Sequence, residues 1–159
     1  MNAAHLHLLT NHFPVLGTLF GLSLLLIALL RRSDELKRIS LGVFIVIALL
    51  AVPTYLSGEP AEDLMKNILG VSEVFLEEHE EAAQVAFTGV LILGAASLYG
   101  LIWFRRGKII PAWFAMIVLL VSVGVLGSMV WTANLGGKIR HSEIVSGNSS
   151  PVSEKSEHD

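Results

Sequence analysis

The amino-acid sequence predicts an all-α fold: a four-helix transmembrane bundle running up-down-up-down, with both termini on one side of the membrane. Three observations lead there. Hydrophobic residues make up 53% of the chain and charged residues 16%, whereas soluble domains carry about 25% charged residues. Four long runs, at 13–30, 39–56, 82–104 and 109–133, contain no Asp, Glu, Lys or Arg. Seven of the eleven basic residues fall in the two short connections between runs one and two and runs three and four.

Each run is close to the roughly 20 residues a helix needs to cross about 30 Å of hydrocarbon. None alternates as a barrel strand does. The length of 159 residues allows one domain. We place a membrane domain at 1–144 and a Ser-, Glu- and Asn-rich tail at 145–159, whose composition predicts disorder. With no cysteines, disulfides, thiolate metal ligands, c-type haem attachment and iron–sulfur clusters are excluded.

Taken in order, the first run opens at His12-Phe13-Pro14 without the cationic region of a signal peptide and reads as a retained span. Arg31, Arg32, Lys37 and Arg38 separate it from the second run, and Arg105, Arg106 and Lys108 separate the third from the fourth. Twelve of the fourteen acidic residues lie at the opposite end. The positive-inside rule then places the basic connections in the cytoplasm and both termini outside. This predicts a multi-pass membrane protein with both termini outside. Short connections make antiparallel hairpins. Small residues within the spans, including Gly17, Gly21, Gly89, Gly94 and Gly100, suit close packing in lipid. Pro53 suggests a kink and Pro111 a first-turn position. Trp103, Trp113 and Phe114 at one interface and Trp131 near the other suggest an aromatic belt.

The connection at 57–81 stands apart. Ser57-Gly58-Glu59-Pro60 signals a turn, after which Leu64, Ile68, Val71, Phe75 and Leu76 recur at helical spacing among acids. This predicts an amphipathic outer helix running into helix three, and a strongly negative outer mouth.

All six histidines gather at that outer side. Counting at 1.5 Å per residue, His12 lies about 27 Å above Leu30 and His7 about 35 Å, while His79 lies about 37 Å above Phe104. On helix four the matching level falls near Gly136-Gly137, with His141 higher. Two imidazoles from different helices are what a b-type haem takes as axial ligands. His12 and His79 are the favoured pair, with His7 and His141 as substitutes or a second pair. Gly136 and Gly137 would leave room for a flat macrocycle, and Arg140 or Lys138 would meet its propionates. Alternatively His12, His79 and His141, with Glu77, Glu78 or Glu80, would hold zinc or copper. The plain alternative is that these are interfacial histidines, polar-tipped side chains at the lipid–water boundary.

Other chemistry finds little support. There is no phosphate-binding glycine loop and no nucleophile elbow. The uncharged spans argue against an ion path. The chain is not expected to be an enzyme by itself, nor to bind nucleic acid.

His7-x-x-x-x-His12-Phe13-Pro14, His79 at the head of helix three, and Gly136-Gly137 followed by Ile139-Arg140-His141-x-Glu143 resemble a bacterial family of four-helix membrane proteins of unassigned function. The resemblance spans residues 7–144. Family members occur alone or fused to c-type cytochrome domains, which implies redox partners of cytochrome c type in or beside the membrane. Leu8 stands where the family's first histidine is followed by proline, which favours His12 over His7. The leading expectation is therefore a membrane haem b-binding, electron-transfer subunit. The second is a cofactor-free accessory subunit anchoring a larger membrane complex, and the third a periplasmic-face zinc or copper protein.

Overall fold

A computed structural model describes residues 7, 10–58, 60–61, 73–105 and 107–147; the side chains of 73, 75 and 138–147 lie outside that description. Among the described residues the long elements are four helices: α1 His12–Leu30, α2 Asp34–Leu56, α3 Glu73–Trp103 and α4 Ala112–Gly147. All four are long and apolar enough to cross a bilayer. Each helix packs on its neighbours in the order α1–α2–α3–α4–α1, a closed ring of antiparallel contacts. This is a multi-pass membrane bundle.

The interior is held by Leu25, Leu41, Phe44, Val90, Leu93 and Val118, all essentially inaccessible. The outside stays apolar: Leu16, Phe20, Leu49, Leu120 and Val123 are more than half exposed. A helix apolar on every face needs lipid around it.

Small residues set the helix separations. A methyl group on Gly17 or Gly21 of α1 would overlap Ile47 and Phe44 of α2, and one on Gly94 of α3 would overlap Ala48 of α2. Gly100 holds the ring of Phe114 from α4. Four of the glycines are thus packing residues, whereas Gly124 and Gly127 face open space. Between α2 and α3, Tyr55 and Phe87 stack with ring centroids 4.3 Å apart. Phe114 departs from the aromatic-belt expectation. It is 8% exposed and packs edge-on to Phe104 at 5.5 Å, so only Trp103, Trp113 and Trp131 face outward as anchors.

At the arginine-rich end the helix boundaries differ from those read in the sequence. Ser33 caps α2, its Oγ accepting from the Leu36 amide at 3.3 Å, and Asp34 and Glu35 occupy the first turn. Lys37 and Arg38 therefore belong to the helix, not to the connection. Ile109 and Ile110 lie before α4, whose first-turn amide of Ala115 bonds to the Pro111 carbonyl at 3.2 Å. The reason is a polar clamp. Asp34 accepts from the Ile110 amide at 2.7 Å and from Arg38 Nε at 2.9 Å. Arg38 donates to the carbonyls of Phe104 and Lys108 at 2.9 and 2.6 Å. Lys37, 6% exposed, donates to the Ile110 carbonyl at 2.7 Å. The first turn of α2 thereby satisfies the backbone of the α3–α4 turn, where both helix ends leave groups without helical partners.

Of the predicted amphipathic outer helix, residues 62–72 lie outside the described residues; from Glu73 onward the chain already belongs to α3, and Leu76 is buried there. Of the tail, 148–159 lies outside them, and 145–147 continue α4.

Candidate functional site

The end of the bundle opposite the clamp carries His7, His12 and His79. Helical hydrogen bonding reaches His7, whose carbonyl accepts from the Asn11 amide at 2.9 Å just ahead of α1. Pro14, buried in the first turn, has no N–H to offer the Thr10 carbonyl four residues back. Thr54 Oγ1 of α2 lies 3.4 Å from that carbonyl and 3.0 Å from the Leu50 carbonyl of its own helix, its one proton shared between the two acceptors. The start of α1 and the end of α2 meet at the point where proline withholds a helical donor.

His7 lies in the same seam. Its Nδ1 is 3.0 Å from the Thr54 carbonyl and 3.4 Å from Ser57 Oγ, while Ser57 Oγ donates to the same carbonyl at 2.9 Å. A carbonyl only accepts, so the proton sits on Nδ1, and in the neutral ring Nε2 carries the lone pair. Thr54 lies in the last turn of α2, where carbonyls lack helical donors. The ring is half-buried.

His79 repeats this arrangement in the opposite seam, between α3 and α4. Its Nδ1 is 3.1 Å from the carbonyl of Thr132, which again fixes the proton on Nδ1. Gly136, one turn beyond Thr132, provides the room: a methyl group there would stand 3.2 Å from Cε1 and 3.5 Å from Nδ1 of the ring. The glycine pair thus does not act as read in the sequence. The space at Gly136 is filled by the imidazole itself, and Gly137 faces open space.

The structure sets His12 apart. Its side chain is exposed at the head of α1. The backbones of Arg140 and His141 lie in α4, one turn above Gly136, with their side chains outside the described residues. Glu77, Glu78, Glu80 and Glu81 are exposed on α3. Among the described residues no three His, Asp or Glu side chains come together as a metal-ligand group. Asn11 Oδ1 is buried beside the His7 seam with no hydrogen-bond partner in the structure.

No family model, curated protein or solved structure matches the chain. The site therefore stands on its own geometry. Sequence reasoning found the histidines and Gly136 but missed Thr54, Ser57 and Thr132, because two of the decisive acceptors are backbone carbonyls, which no side-chain pattern announces. The one usable signal was Pro14, which withholds a helical donor from the Thr10 carbonyl.

Beside the α3–α4 seam runs an open groove of about 560 Å³. Glu78 and Glu81 rim it, Ala82, Val85 and Leu135 line its length, and Trp131, 62% exposed, forms a wall.

Proposed function

We propose that this chain is a haem b-binding, electron-transfer subunit of the bacterial inner membrane, with His79 and His7 as axial ligands at the periplasmic end. The observation that carries the reading is the pair of imidazoles on opposite seams, each with Nδ1 donating to a backbone carbonyl of a neighbouring helix. That second-shell bond selects the tautomer and ring orientation of a metal-ligating histidine and leaves the lone pair on Nε2. His7 takes the place of His12, the ligand favoured by motif alone, because its ring is half-buried and oriented while that of His12 is exposed.

Two imidazoles are the number that haem iron takes as axial ligands. A haem held by His7 and His79 would supply one-electron chemistry, which suits electron transfer. The chain's own residues bind and orient. Thr54 and Thr132 hold the rings, Gly136 admits one of them against α4, and Arg140 is assigned to the propionates as a charge-assisted partner. The periplasmic assignment rests on the basic residues of the two connections at the other end. It gives the histidine end access to periplasmic redox partners of cytochrome c type.

Haem content of the detergent-purified full chain, made with ample haem and assayed as the pyridine haemochrome alongside metal analysis, tests the proposal. About one haem per chain is expected. Bound zinc or copper without haem would replace it with the metal reading, and neither would leave the accessory-subunit reading.

A further inference from the structure

We propose that the groove between α3 and α4 seats one lipid carrying a primary ammonium headgroup, a phosphatidylethanolamine, from the leaflet at the histidine end. Position comes first. The groove begins at Glu78 and Glu81, where α3 passes from its acidic turn into the uncharged run that starts at Ala82. Below it a second depression of about 440 Å³ shares Val85 and continues past Gly89 to Ile92. From Ala82 to Ile92 the helix rises about 15 Å, which is half of a hydrocarbon core of roughly 30 Å. The track is as long as one leaflet is deep and opens sideways toward lipid.

Charge complementarity selects the head. The rim offers two exposed carboxylates and an exposed indole. Carboxylates accept hydrogen bonds and repel anions; an indole face attracts a cation. An ammonium with N–H donors satisfies both, a quaternary ammonium satisfies only the electrostatics, and a glycerol headgroup offers hydroxyl donors but no cation and a net negative charge. The ranking that follows is ethanolamine, then choline, then glycerol.

The test uses the full chain with Trp103→Phe and Trp113→Phe, so that Trp131 is the sole tryptophan, in vesicles of a non-quenching phosphatidylcholine. Brominated ethanolamine, choline and glycerol phospholipids are added at equal mole fraction and the quenching of Trp131 is read. Brominated phosphatidylethanolamine is expected to occupy the site about two- to tenfold more strongly than the choline lipid, the range set by one net hydrogen bond that only the primary ammonium can donate. Glu78→Gln with Glu81→Gln is expected to remove the preference. Both glutamates are exposed, and an unchanged helical signal by circular dichroism shows that the variant is folded. Equal quenching by the three lipids, or a preference that survives the double substitution, overturns the proposal and leaves the groove to a protein partner.

Discussion

Gly94 shows how single atoms set this bundle. A methyl group there would overlap the Cβ of Ala48, and an alanine has no flexible end to move aside. Gly94→Ala is expected to destabilise the protein by about 1–3 kcal/mol, the usual cost of overpacking, as read by unfolding in mixed detergent micelles. Gly124→Ala, with nothing within 4 Å, is expected to be neutral or stabilising by up to about 1 kcal/mol, since glycine is a poor helix former. Gly136 links packing to function. Ala at this position asks the His79 ring to give by a few tenths of an ångström, whereas Gly136→Leu is expected to evict it from α4, with loss of any bound haem and retention of the helical fold. Haem retained at full occupancy in Gly136→Leu would show that the ring's seat against α4 is unimportant. Gly136 was legible in the sequence as a place where space matters; what fills that space was not, because the answer depends on a ring from 57 residues earlier in the chain.

At the scale of elements, the two ends of the bundle are built differently. The arginine-rich end is tied by side chains reaching across helices. Asp34 and Lys37 bond to the amide and the carbonyl of Ile110, and Arg38 takes two carbonyls of the same turn. Lys37→Met leaves the Ile110 carbonyl without this donor, and Asp34→Ala leaves its amide without this acceptor. Each is expected to cost roughly 1–3 kcal/mol, the penalty of an unsatisfied buried group, seen as a lower midpoint in detergent unfolding. A midpoint unchanged in both variants would mean that the clamp contributes nothing. The spans themselves were legible because uncharged runs of this length have few alternatives to crossing a bilayer. Their ends were not. Lys37 and Arg38 read as connection because charge was weighed alone, although Ser33-Asp34-Glu35 is a capped helix start. Ile109 and Ile110 read as span because they are apolar, yet Ile110 is buried by the clamp outside any helix.

For the whole molecule, the organising fact is that His7, His12 and His79 lie at one end and five of the six arginines lie in or beside the connections at the other, a pattern from which the positive-inside rule predicts an orientation. The chain has no cysteines, so single introduced cysteines report sidedness cleanly. In right-side-out membranes, Glu77→Cys is expected to react with an impermeant maleimide and Lys108→Cys only after permeabilisation. The reverse pattern would put the histidine end in the cytoplasm. The central claim concerns His79, and the reduced-minus-oxidised absorption spectrum of the purified full chain tests it most directly. The account predicts a Soret band that shifts and α-bands that sharpen on dithionite reduction, lost in His79→Ala and in His7→Ala and kept in His12→Ala. A featureless spectrum from protein made with ample haem, or a haem spectrum that survives His79→Ala, would contradict it.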